Sequence, residues 1–441
     1  MNATPPAKLA AERGLAAARG GDYLRAIAAF TESLRLGPIS ARVLNNRGFA
    51  YSARRDYRRA LDDFDAALRL DPTFAAAFNN RGLARIAVRE YRPAIEDFDA
   101  ALALDPHLAL AHQNRGIALA ALGDHAPALA AFDAALAIRP ELANAHHNRG
   151  FSNTALAAFD AALRDYATAI ALRPASAVGW YNRGFVHSLL GDHASAVRDY
   201  DEALRLEPAF PDALHHRGDL HRVCGRVTDA DADFSAVLNL RPAFVPAWVR
   251  RGECRFVAGD YAAATDDFGE AIRLDPGQAA PYKNRGVARL AQGDAAAAVD
   301  DLTEAIRIDP AYADAYHHRG RARQSLGDDE RAVVDFIEAI RLNPHAADAY
   351  ESYSRWWNAA GDAPATERRV AVELARHACA LTDWLDWNCL RTRAAAHAAA
   401  GEFEEAAGWV DKAAACAPAS GRAVCAAELA RYELAPGRGS A

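Results

Sequence analysis

Small, apolar and polar positions follow one another in a fixed order along most of this chain. Between Asn45 and Pro72 the sequence reads as helix except at Gly48, where a glycine inside a helix costs about 1 kcal/mol against alanine. The exception recurs at Gly82, within Asn80-Arg81-Gly82, 34 residues later. Arg-Gly occurs ten times at intervals of 34, from Arg13-Gly14 to Arg319-Gly320. Twelve residues after each glycine stands an alanine (Ala26, Ala60, Ala94, through to Ala332), and four further on an aromatic, with Leu302 the exception. A proline follows each glycine after 24 residues, from Pro38 to Pro344.

Ten copies in register predict one unit repeated: helix, short turn, helix, proline stop. The turn is often Gly-Asp, as at Gly123-Asp124 and Gly191-Asp192. Glycine there supplies the left-handed end of the first helix and aspartate caps the second. Proline then ends the second helix. Small residues at the glycine and alanine positions let the two antiparallel helices approach closely, and a larger side chain would cost roughly 1–3 kcal/mol by overpacking. The fifth copy carries Ala157-Ala158 at the turn, a local change.

At these spacings the chain resembles the tetratricopeptide repeat family, in the form found in bacterial arrays. The resemblance implies an all-α, right-handed superhelical solenoid of tandem helix-turn-helix repeats. Counting each copy from its first residue (Ala7, Ala41, Ala75 and so on) puts the glycine at position 8. Residues 1–6 read as an N-terminal tail and 7–346 as ten repeats. Residues 347–386 read as a divergent repeat with a second helix from about Glu367 to Leu381 and an insertion at Thr382–Asp386. Residues 387–420 read as a final repeat around Gly401-Glu402-Phe403. Residues 421–441 read as a capping helix with a disordered tail, PGRGSA, because an open-ended solenoid must cover its last apolar face.

Composition narrows the function classes. The chain is 51% hydrophobic and 25% charged, and its 51 Lys and Arg are mixed with 58 Asp and Glu for a net charge of −7. No basic stripe suits a phosphate backbone, so no nucleic acid partner is expected. No run of 18 apolar residues predicts a membrane span, and MNATPPAKLA is not a secretory leader. Six cysteines without a CxxC pair read as small buried residues of a reducing, cytoplasmic compartment. The sequence lacks GxSxG, a phosphate loop and HExxH, so no catalytic residue, cofactor or metal is assigned and the protein is read as non-enzymatic. The pairs His146-His147, His215-His216 and His317-His318 point about 100° apart on a helix and read as solvated groove residues.

The candidate site is position 6, two residues before each glycine and about 200° round the helix from it. It holds Asn46, Asn80, Asn114, Asn148, Asn182, His216, Arg250, Asn284 and His318. Stacked repeats would line these up on a concave face. The row resembles the asparagine ladder of the O-linked N-acetylglucosamine transferase repeats, which implies that it holds peptide backbone; an amide both donates and accepts. The other reading is a row of polar groove residues inherited with the repeat. Position 9 is apolar early (Leu15, Phe49, Leu83, Ile117, Phe151, Phe185) and mostly charged late (Asp219, Glu253, Arg321, Arg355). That is either neighbour packing giving way to solvent exposure or a groove in two parts.

Arginine at position 7 is followed 16 residues later by aspartate in eight copies, which predicts structural pairs such as Arg183 with Asp199 or Asp165. Trp356, Trp357, Trp384, Trp387 and Trp409 fill a core near the insertion or form a partner patch. The expected function is a scaffold for a protein or peptide ligand. A regulatory or recognition subunit of a separate enzyme, for example a glycosyltransferase, is the alternative. A co-chaperone fits less well, since position 9 is never asparagine. Oligomeric state is not encoded in these patterns.

Overall fold

A computed structural model describes residues 5–359 and 365–434; the PGRGSA tail lies outside the described residues. Those residues form 25 α-helices and no strand, an all-helical repeat solenoid. They divide into two compact units, Met1–Arg217 and Gly218–Ala441.

The third copy shows how one repeat is made. Its first helix, Ala75–Ala87, ends at a left-handed residue, Arg89, with φ 65°, and its second runs Tyr91–Leu104, stopping two residues before Pro106. Residues just before a proline are pushed out of the helical region. The left-handed position is glycine in seven copies, for example Gly191 at φ 76°, and Arg55, Arg89 or Ala157 in the others. Only glycine takes that conformation without steric cost. Aspartate caps the second helix as expected at Asp192, whose carboxylate accepts from the Ser195 amide at 3.0 Å. Asp124, also read as a cap, makes no such bond.

The aromatic at position 24 is what occupies the space that glycine leaves. A Cβ on Gly82 would stand 2.7 Å from Phe98 Cε1, and one on Gly252 2.7 Å from Phe268 Cε1. Both rings are buried, with alanines of the following first helix, Ala118 and Ala288, against them. Burying a phenylalanine is worth roughly 2–3 kcal/mol, so the ring more than offsets the helix cost of the glycine. The absent Cβ therefore serves the ring as much as the close approach of two backbones.

Arginine 7 meets the aspartate of its own copy. Arg183 donates Nε and Nη2 to Asp199 at 2.8 and 2.6 Å, and Asp199 is the partner rather than Asp165. The same fork joins Arg47 to Asp63, Arg251 to Asp267 and Arg319 to Asp335. A second link was not expected. Arg81 Nη1 reaches back to Asp65 of the preceding copy at 2.6 Å, and Arg149 Nη1 to Asp133 at 2.7 Å. Position 25 supplies that second acceptor, and the arginine thereby ties consecutive copies together. The hydrogen bonds to Asp199 hold the Arg183 guanidinium above its ordinary pKa.

Beyond Pro344 the helices are Ala347–Ala359, Ala365–Leu381, Trp387–Ala399, Phe403–Cys416 and Ala419–Glu433. Cys425 and Tyr432 of the last helix close over Cys389, Ala394 and Val410. The cysteines are not uniformly buried: Cys224 and Cys416 are exposed, because they fall at helix ends away from the seam.

Candidate partner-binding face

First helices of neighbouring copies touch one another within each unit: Pro6–Arg19 with Ala41–Ala53 and that with Ala75–Ala87, and in the second unit Val245–Val257 with Ala279–Ala291 and that with Ala313–Ser325. Crowding along one side makes their free faces the inner surface of each unit. Positions 6 and 9 lie one helical turn apart on that surface.

In the first unit four position-6 side chains reach back to position 5 of the preceding copy. Asn80 Nδ2 donates to Asn45 Oδ1 at 2.9 Å and Asn114 Nδ2 to Asn79 Oδ1 at 3.1 Å. Asn182 Nδ2 meets His147 Nε2 at 3.2 Å, and Tyr181 OH meets His216 Nδ1 at 3.4 Å. Asn46 and Asn148 have no side-chain hydrogen bond. The amide row is thus partly an inter-repeat lock. Sequence reasoning weighed position 6 alone; the signal lay beside it, in the polar residues at position 5 (Asn45, Asn79, Gln113, His147, Tyr181). One N–H of a bonded amide is committed, which fixes its plane and leaves the second N–H; the Asn80 carbonyl oxygen also accepts from Asn79 Nδ2 at 3.5 Å. Asn114, only 6% exposed, has little left to offer a ligand.

One turn on, three of the six apolar side chains at position 9 stand partly out of the packing. Phe49 is 49% exposed, Leu83 41% and Phe151 52%. Phe49 and Phe151 lean edge-on against Tyr23 and His125 of the preceding second helices. Leu15 and Ile117, by contrast, are half-buried against the core, so neighbour packing holds for part of the row and leaves Phe49, Leu83 and Phe151 half in water. Phe185 and Tyr181 gather round His216, with ring centroids 5.5 and 5.7 Å away.

In the second unit the three candidates Arg250, Asn284 and His318 line a single cavity of about 420 Å³, together with Glu253, Lys283 and Val287. Arg250 donates to Glu253 at 3.0 Å and lies 3.4 Å from Asp219. The acids at position 9 therefore pair with position 6 instead of facing water. The histidine pairs are likewise not solvated. His317 is buried and meets Ser352 Oγ at 2.9 Å, while burial pushes His317 down to about 4 and His318 to about 3. Both rings are neutral near pH 7.

Among the described residues no cluster of His, Cys, Asp and Glu could hold a metal ion, and no helix is long and apolar enough to cross a membrane. The C-terminal tryptophans divide between the two readings. Trp387 packs on Gly421 and Trp409 stacks on Trp384 at 5.5 Å, but Trp384 and Leu385 are exposed. Arg393 lies over the rings of both Trp384 and Trp409.

Comparison with known proteins agrees with this architecture. No curated protein matches the chain. Among solved structures it is similar to Cut9 of the APC/C hetero-tetramer Cut9-Hcn1, with 13% identity over 97% of this chain and 96% of that one and a TM-score of 0.51. It is also similar to yeast Tom70, with 16% identity over 98% and 97% and a TM-score of 0.43. YrrB, described as a TPR protein with an unusual peptide-binding site, shares 23% identity over 42% of this chain and 96% of its own, with a TM-score of 0.40. Tetratricopeptide repeat models match residues 41–74, 79–143, 177–210, 216–279 and 313–345, and a TPR repeat model matches 288–327. With its seam glycines, ring-filled clefts and capped turns repeating at the same interval, the chain belongs to the tetratricopeptide repeat family of protein-interaction scaffolds.

Proposed function

We propose that the protein is a non-enzymatic scaffold that holds an extended segment of a protein partner in the groove along its first helices. The observation that carries this reading is the exposure of Phe49, Leu83 and Phe151 one turn from the asparagine row. An extended chain needs apolar contact for its side chains and hydrogen bonds for its backbone, and this face offers both. Asn46 and Asn148 have whole amides to give, and Asn80 and Asn182 have the part not spent on the preceding copy. Apolar side chains left about half in water are what a partner would bury at such a site.

A pull-down with the intact chain, followed by mass spectrometry, identifies partners. Their affinity is then measured for the triple variant Phe49→Ala, Leu83→Ala, Phe151→Ala. Losing about 1 kcal/mol at each half-exposed side chain predicts a fall of about a hundredfold or more. The melting temperature should change little, since these side chains are half in water already. Unchanged affinity in a folded triple variant would rule this groove out and move attention to Trp384 and Leu385.

A further inference from the structure

We propose that the cavity beside Lys283, Asn284 and His318 takes one internal acidic side chain, Asp or Glu, of the bound segment. This rests on the scaffold reading and gives it a chemical preference. The cavity walls carry three cations, Arg222, Arg250 and Lys283. Two acids answer the arginines: Asp219 lies 3.4 Å from Arg250 and 3.7 Å from Arg222, and Glu253 lies 3.0 Å from Arg250. Lys283 has no hydrogen bond or ion pair, so one positive charge is left over. Two further side chains of the cavity lining keep unpartnered polar atoms. The Asn284 amide makes no hydrogen bond, and His318 Nδ1 is buried without a partner. Phe256 and Val287 give the same cavity an apolar wall for the methylenes of an acidic side chain.

One uncompensated cation matches a carboxylate better than a doubly charged phosphoryl group. Lysine supplies three donors on a flexible stem and can follow a carboxylate as it enters. The inner face continues to both sides of the cavity, across Val245–Val257 and Ala313–Ser325. A segment gripped there can run on in both directions, which favours an internal residue over a chain end.

The test selects 12-residue random peptides displayed as fusions through their C-termini, so that none has a free carboxylate, against the full chain. A parallel library displays free C-termini. Selected peptides are synthesised as C-terminal amides in Glu and Gln versions at the enriched position. Their affinities are measured on the parent, Lys283→Met and Lys283→Glu proteins, with melting curves to verify folding. The proposal expects enrichment of Asp or Glu at one internal position. It expects Glu→Gln in the peptide to weaken binding at least tenfold on the parent and less than twofold on Lys283→Met. Peptides without acidic preference, an equal Glu→Gln effect on Lys283→Met, or binders from the free-C-terminus library alone would overturn it. If such neutral peptides lose binding when Phe49 and Phe151 are replaced, the scaffold reading stands while this one falls. Failure to select any binder from either library would overturn both.

Discussion

Replacing Gly82 by alanine sets two effects of opposite sign against each other. In an open helix the change gains about 1 kcal/mol, because glycine loses more backbone freedom on folding. At Gly82 the new Cβ would stand 2.7, 2.8 and 3.1 Å from Cε1, Cζ and Cδ1 of Phe98. Carbon pairs rest at about 3.5–4.0 Å, so the ring must withdraw by close to 1 Å. It has little room to do so, because Phe98 is fully buried with Ala94 and Ala118, and Ile86 and Ile95 pack around them. Overpacking of this kind costs roughly 1–3 kcal/mol, so the net change should be a loss of about 1 kcal/mol. Gly408 provides the control. It lies inside Phe403–Cys416 with no atom within 4 Å of a built Cβ, so Gly408→Ala should stabilise by about 1 kcal/mol. Gly184→Leu, which drives a branched side chain at Tyr200 and Asp199, should lose more than Gly82→Ala.

Urea unfolding followed by circular dichroism reads the total, and hydrogen exchange over residues 75–104 reads the affected copy. The local measurement matters because repeat arrays open in parts. A stabilising Gly82→Ala, matching Gly408→Ala in sign and size, would show that the ring is not held where the seam requires it.

Arg183→Met should cost about 3 kcal/mol, because it leaves the buried Asp199 with only His187, 3.9 Å away. Adding Asp199→Leu should recover much of that loss, and additive single costs in the double-mutant cycle would refute the coupling. Ala157→Gly should raise stability by about 1 kcal/mol, since Ala157 is held at φ 56° where an L-residue is strained; a melting temperature at or below the parent's would count against it. His317 and His318, lowered by burial to about 4 and about 3, are neutral when folded and titrate near 6.5 when unfolded. The unfolded chain therefore binds the extra protons, and stability should fall as pH drops from about 6.5 towards 4, by about 2 kcal/mol per histidine at pH 5. His317→Gln with His318→Asn should flatten that slope in pH-dependent melts; an unchanged slope would place the protons elsewhere.

The repeat was legible because its determinants are local or fixed in spacing. Glycine 8, alanine 20 and the aromatic at 24 meet inside one copy, so their interval reports their contact directly. The Arg183–Asp199 pair followed from the same logic, since both partners flank one seam. What stayed hidden runs between copies. Arg81 to Asp65 and Asn80 to Asn45 link side chains whose proximity depends on how one repeat is stacked on the last. No single copy encodes that stacking, although the polar residues at positions 5 and 25 carried its trace.

The asparagine row shows what such hidden links do to a functional reading. A polar position that avoids the seam answers to something other than its own second helix. Two demands satisfy that condition, a ligand and a neighbouring repeat, and an amide can meet both at once. Where position 5 offers an acceptor, as at Asn45 and Asn79, the neighbour takes one N–H and the side chain becomes ordered. Where position 5 holds Val249 or Lys283 instead, the next position 6 is left with polar atoms, the Asn284 amide and His318 Nδ1, that no described residue uses. The same helical position is therefore an inter-repeat lock at Asn80, Asn114 and Asn182 and is left open at Asn46, Asn148 and Asn284, even where Gln113 stands at position 5 before Asn148.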